Sequence, residues 1–286
     1  MIIADLLGGL GNQLFQYAAG IALAERYDVP FKINIKKFEE YKLHKYSLHH
    51  FNISAPIANT EEVEYYGNTA AKIWERLILK PYYKRRVFKE RFLYFDKNIN
   101  NASHDIMLNG YWQSEMYFAT IADFIRKEFA IKSPIDDVNR GFADEIRNTN
   151  SVSIHIRRGD YVSDSVTNNI HGTCDREYYN VCVEKIVKLV NDPVFYIFSD
   201  DPSWVKSNFN LKYSSVLIEH NNADTNYEDL RLMGLCKHNI IANSSFSWWG
   251  AWLNANPGKN VFAPSNWFKT SSRNSKDIIP GNWNKI

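Results

Sequence analysis

Apolar positions near the start of the chain change rhythm twice. Residues 2–7 form an apolar run interrupted only by Asp5, short enough for a buried strand, and glycines at 8, 9 and 11 turn the chain after it. From residue 13 to 27, Leu14, Phe15, Tyr17, Ala18, Ile21, Ala22 and Ala24 recur at helical spacing and build one broad apolar face, with Pro30 just beyond it. Residues 31–35 then alternate apolar and polar, as a half-buried strand does. The opening is β-loop-α-β.

Residues 36–105 keep no steady period; they mix aromatics with a basic cluster at 80–91 and are expected to be a helical, partly solvated region. Contact of that cluster with an anionic acceptor or a membrane surface stays open as an alternative. A second series begins near Asn150, with strands expected at 151–156, 194–198, 216–219 and 238–242 and helices at 178–191, 227–236 and 247–256. Strands alternating with helices imply a doubly wound parallel sheet. A chain of 286 residues suits two such domains, divided here as 1–145 and 146–286. Ligands of these sheets bind beyond the carboxyl ends of the strands, which singles out the turns at 8–13, 157–164, 199–201 and 243–247.

Composition narrows the class. Hydrophobic residues make up 45% and charged residues 23%, as in an ordinary globular protein. Thirty-four basic and 32 acidic residues leave a net charge of +2, so no global field draws in nucleic acid, and a bound anion must be held locally. Cys174, Cys182 and Cys236 form no C-x-x-C pair, which argues against a disulfide frame or zinc site and for a reducing compartment. No apolar run of membrane-spanning length occurs and the first residues read as a strand, so the expected location is the cytoplasm. Aromatic residues reach 15%; their commonest use is core packing, but flat rings also stack on sugars and bases.

The candidate chemistry sits in the four turns. In His155-Ile156-Arg157-Arg158-Gly159-Asp160-Tyr161, alternation puts His155 and Arg157 on one face of a strand end, where the Arg157 guanidinium offers paired donors to a phosphate. The competing reading is a salt bridge from Arg157 or Arg158 to Asp160. The glycines at 8, 9 and 11 resemble a phosphate loop, but neither the full dinucleotide fingerprint nor a P-loop lysine is present; Asn12 and Gln13 offer amides to a hydroxyl or a phosphate oxygen. Asn243-Ser244-Ser245-Phe246 opens a helix whose N-terminus suits an anion, with capping by Ser245 or Ser247 and a core role for Trp248 and Trp249 as the compatible plain reading. Asp200 and Asp201 invite a metal, yet Asp201-Pro202-Ser203 is also a good helix start, and no metal is expected.

Six segments in order, GGLGNQLFQYA at 8–18, GYWQSEMYF at 110–118, HIRRGDY at 155–161, HGTCDREYY at 171–179, FSDD at 198–201 and NSSFSWWGAWL at 243–253, resemble the bacterial α-1,2-fucosyltransferases of glycosyltransferase family 11. The match runs from residue 2 to about 267 and is poorest at 36–105. The resemblance implies a GT-B-like fold, two Rossmann-type α/β halves with parallel sheets facing a central cleft, the first on the acceptor side and the second binding GDP-fucose. It implies inverting transfer of L-fucose to the 2-hydroxyl of a galactosyl acceptor, an oligosaccharide or a lipid-linked glycan such as an O-antigen repeat, with no metal or other cofactor. Peripheral contact with the inner membrane face is carried as an open possibility. By position, His155 and Arg157 would meet the nucleotide and β-phosphate, Asp229 would read guanine, and Ser244, Ser245 and Phe246 would hold the diphosphate beside Asn12 and Asn243. Arg157 and the helix amides would stabilise the leaving diphosphate in place of a cation. For the base that helps the attacking hydroxyl, Asp160 and His171 stand level, Asp164 sharing their loop, while Arg158 is assigned structural service.

Overall fold

The computed structural model describes residues 1–40, 43–159, 172–269 and 274–286. The chain divides into one unit of residues 1–132 with 276–278 and another of residues 133–275 with 279–286. The division falls after residue 132 rather than 145, because the helix at 137–148 buries Ala143 and Ile146 within the second unit.

In the first unit the expected opening forms as β1 (Ile2–Asp5), α1 (Leu10–Tyr27) and β2 (Phe31–Asn34). Then come α2 (Thr60–Gly67), α3 (Thr69–Leu77), β3 (Val87–Lys89), β4 (Ile106–Asn109) and α4 (Ala122–Glu128). The sheet order is β2-β1-β4-β3, every pair parallel, with Ile2 opposite both Phe31 and Ile106. Gly20 of α1 lies so close to Ala4 and Phe31 that a Cβ would come within 2.5 Å of the Phe31 ring, which seats the helix directly on β1 and β2. The expectation of a helical region at 36–105 is corrected: α2 and α3 are short, and part of the basic cluster is the strand β3. A three-residue strand has one inward position, here the buried Phe88 opposite Leu108, and so shows no period.

The second unit runs α5 (Asp137–Asn148), β5 (Asn150–Ile156), α6 (Arg176–Ile186), β6 (Pro193–Ser199), α7 (Pro202–Asn208) and β7 (Ser215–Ile218). It continues with α8 (Asn226–Leu235), β8 (His238–Ile240), α9 (Ser245–Leu253), β9 (Val261–Ala263) and β10 (Asn284–Lys285). Six parallel strands lie in the order β10-β9-β8-β5-β6-β7. Val152, Ile154, Ile156, Phe195, Ile197 and Ile240 form the sheet side of its core. Trp248 and Trp249 are fully buried and meet Trp252 and Trp283 ring to ring, so both are core residues.

Helix α8 packs on α9 where Gly250 faces Met233; a Cβ on Gly250 would lie 2.9 Å from the Met233 Cβ. Glycine therefore sets how closely these helices approach. Gly250→Ala is expected to cost about 1–3 kcal/mol through overpacking, read as a lower denaturation midpoint in urea, whereas Gly141→Ala on open α5 surface should not destabilise.

Candidate functional site

Because β5 and β8 are parallel neighbours, with Ile154 opposite Ile240, the turns that follow them leave the same edge of the second sheet side by side. His155, one residue from the end of β5, is buried with its ring 5.7 Å from that of Phe246, at the start of α9. Its main-chain oxygen accepts the Tyr179 hydroxyl at 3.1 Å. Its Nδ1 is the one buried side-chain nitrogen or oxygen among the described residues that has no hydrogen-bond partner. Leaving such a group unpaired costs about 1–3 kcal/mol, a cost that a bound ligand can remove. Burial, helped by the Arg157 charge, pushes the imidazole pKa down to about 3, so His155 is neutral at physiological pH and keeps one donor and one acceptor nitrogen.

Arg157 pairs with Asp200, its guanidinium nitrogen 2.9 Å from Oδ2. The other Asp200 oxygen accepts the Arg158 backbone N–H at 2.8 Å. Gly159 is needed beneath this carboxylate, since a Cβ there would lie 2.4 Å from Asp200 Oδ2. Arg158 turns away: its Nε donates to Asp201 at 3.3 Å and its guanidinium lies 3.9 Å over the Trp204 ring. Asp201 also caps α7 by accepting the Trp204 N–H. Each arginine thus has a counter-ion from the end of β6, forty residues on. Asp160, Asp164 and His171 lie outside the described residues.

At α9 the N-cap is Ser244, not Ser245 or Ser247, and its hydroxyl makes no capping bond. The Ser247 hydroxyl instead turns back to the carbonyls of Ala242 and Ser244. The first turn carries no acid, so the partial positive charge of this helix end is neither capped nor neutralised by its own side chains. The Asn243 side chain is engaged within the protein. Its amide donates to the carbonyls of Gly172 and Trp267, both at 3.2 Å, and its oxygen takes the Cys174 thiol, so the side chain is spent bracing loops. Beside it opens a cavity of about 410 Å³, lined by Thr173, Asp175, Asn266, Phe268 and Lys269 among others.

Asp229 stands in the first turn of α8 and accepts the Asn221 amide at 2.7 Å. Desolvation pushes its pKa up to about 7, against the pull of Asn221 and with some help from Glu228. Asn221 is held in turn by Asn139, which also bonds His220.

The first unit carries Asn12. At its sheet edge Asp5 accepts amides from Asn34 and Asn109 and pairs with Lys37 at 2.7 Å, tying β1, β2 and β4. Gly8, with φ of 89°, turns the chain into α1 and leaves no room for a Cβ beside the Asn12 amide. Gln13 is buried and bonded to Gly8, Lys45 and Ser47, which makes it structural. Asn12 Oδ1 accepts from Gln113, leaving its amino group as the part able to donate to a ligand. Glu90, absent from the expected residues, anchors the Tyr111 and Trp112 amides at 2.7 and 2.9 Å; burial outweighs those bonds and raises its pKa to about 7. Its one sequence signal is Gly110, where a Cβ would collide with Glu90.

Among the described residues no three His, Cys, Asp or Glu side chains group to hold a metal ion, and no helix is long and apolar enough to cross a membrane.

The chain is 35% identical to an α-1,2-colitosyltransferase of Escherichia coli, over 100% of this chain and 99% of that one. It is 26% identical to galactoside α-(1,2)-fucosyltransferase 2 of Rattus norvegicus, covering 88% of this chain and 67% of the relative. Among solved structures, the α-1,6-fucosyltransferase NodZ co-crystallised with GDP superposes with a TM-score of 0.54 at 12% identity, over 87% of this chain and 90% of that one. That likeness is one of fold, the GT-B-like plan of two α/β units with parallel sheets. The profile of Glycosyl transferase family 11 matches residues 3–286, nearly the whole of both units, and with it the chain belongs to glycosyltransferase family 11.

Proposed function

We propose that this enzyme transfers L-fucose from GDP-fucose to the 2-hydroxyl of a galactosyl acceptor, with inversion and without a metal ion. One juxtaposition supports the reading most: the unpartnered His155 and the Arg157 guanidinium at the end of β5 beside the uncapped N-terminus of α9 after β8. That edge gathers neutral and cationic donors around a place for an anion, and a departing diphosphate is such an anion. Fucosyl is favoured over other sugars by the likeness to the galactoside α-(1,2)-fucosyltransferase, and position 2 by both named relatives.

As the glycosidic bond breaks, negative charge grows on the β-phosphate. The amides of Ser245 and Phe246 and the Arg157 guanidinium stabilise it, already oriented by α9 and by Asp200. Asp200 and Asp201, the carboxylates most suited to a cation, are engaged by Arg157 and Arg158, which supports arginine in the role a cation would play. Asp229 accepts the N1–H and amino group of guanine. Inversion follows from one in-line attack by the acceptor hydroxyl, with Asp160 or His171 as its base. The cavity beside Asn243, with amide, carboxylate, ammonium and ring, suits a neutral sugar.

The 35% identity to a colitosyltransferase favours a second reading of the donor, in which colitose, fucose lacking its 3-hydroxyl, is transferred. Competing GDP-fucose against GDP-colitose at equal concentration decides between them by product mass.

Arg157→Ala is expected to lower kcat by about 100-fold or more while the circular dichroism melt keeps its shape, and wild-type turnover is expected to persist in EDTA. Loss of turnover in EDTA that magnesium or manganese restores would remove the metal-independent reading.

Guanine binding requires the ionised Asp229, whose pKa near 7 lies above the ordinary carboxyl value, so ionisation is incomplete at neutral pH. Raising the pH from about 6 to about 8 is therefore expected to tighten GDP up to about tenfold by calorimetry, with protons released on binding near neutrality. Asp229→Asn should weaken GDP and flatten the profile.

A further inference from the structure

Helix α3 is built inside out. Its buried residue is Glu75, 5% exposed, whereas Trp74, Leu77 and Leu79 stand 63%, 69% and 85% exposed, with Ile73 and Ile78 exposed beside them. At about 100° per residue, Ala70, Ile73, Trp74 and Leu77 fall in one arc of about 100° and Glu75 falls opposite. The acid is fully provided for: Lys80 bonds it at 2.7 Å and both its oxygens accept the Arg86 backbone N–H at 3.1 Å. Burial of Glu75 therefore fixes which way the helix faces, and that choice turns the apolar arc outward. Leu79 sharpens the point. It ends the helix with φ of 54°, a conformation that glycine adopts without strain, and its side chain packs on almost nothing.

The charge around this arc has one sign. Residues 69–91 hold eight Lys or Arg and two Glu, a net of +6 in a chain whose total is +2, so the remainder is negative. Lys80 is used inside against Glu75, but Arg76, Lys84, Lys89 and Arg91 are exposed. A second copy docking face to face would set +6 against +6. Exposed aliphatic side chains and a tryptophan in a segment of net charge +6 instead match a bilayer surface, where apolar side chains enter the acyl boundary and cations meet anionic headgroups.

We propose that α3 and the basic segment after it form a peripheral docking surface for anionic phospholipid membranes. The Lys80 cluster alone suggested contact with an anion; the outward arc of α3 adds the apolar half that a lipid surface requires and a free glycan or nucleotide does not. None of its residues is among those assigned to donor binding, so it holds or fails independently of the proposed reaction.

The test is co-sedimentation of the full chain with vesicles of phosphatidylcholine alone or with about 30% phosphatidylglycerol. Binding is expected only to the anionic vesicles, weakening as salt rises from about 0.1 to about 0.5 M. Trp74→Ser/Leu77→Ser/Leu79→Gly should lower the partition coefficient at least about tenfold, and Arg76→Glu/Lys84→Glu/Lys89→Glu likewise. Leu79→Gly alone should weaken binding while leaving the thermal midpoint unchanged or higher, which separates docking from unfolding. Brominated acyl chains should quench tryptophan emission in the wild type and not in Trp74→Phe. The proposal is overturned if the wild type stays in the supernatant with anionic vesicles, or if the apolar triple variant binds as well as the wild type. It is equally overturned if the wild type ignores vesicles and instead self-associates in sedimentation velocity through this face.

Discussion

Parallel pairing is the constraint on which the site depends. In an all-parallel sheet every strand ends at the same edge, so turns far apart in sequence leave the fold together. Pairing of β5 with β6 in one direction and β8 in the other brings residues 155–159, 199–201 and 243–246 to one edge of the second sheet. No one of these turns carries all of the proposed donors. Their coincidence follows from strand direction and register, which hydrophobic burial along β5, β6 and β8 secures.

Within that edge, charge is arranged before any ligand arrives. Asp200 holds Arg157 by its guanidinium and the following peptide by an N–H, so the arginine is oriented by a carboxylate anchored on another strand. His155 is kept neutral by burial and left with an unpartnered nitrogen, a small cost carried by an interior that is otherwise satisfied among the described residues. Close packing of α8, which carries Asp229, on α9 is set where Gly250 meets Met233.

Much of this was legible in the sequence. The β1-α1-β2 opening and the series from β5 to α9 announce themselves because each element is long enough to show a period or is punctuated by glycine, proline or a cap. β3, β9 and β10 have three, three and two residues, too few for any period, and only partner strands make them strands. The partners of Arg157 and Arg158 were invisible in spacing. HIRRGD and FSDD could each be read, but only the register that sets Ile156 opposite Ser199 joins them. Asn243 illustrates the reverse: a residue in a recognisable segment whose side chain braces loops, which no pattern reveals. Helix α3 was obscured because its acid points in and its apolar residues point out, the opposite of what periodicity assumes.

The second unit's edge is crowded with interlocking constraints, from Gly159 under Asp200 to the tryptophan core beneath α9. A crystal structure of the GDP complex tests the central claim most directly. The β-phosphate is expected within about 3 Å of the Ser245 and Phe246 amides and the Arg157 guanidinium, with the His155 nitrogen bonded to the nucleotide. A diphosphate bound away from the N-terminus of α9, with His155 still unpartnered, would contradict it.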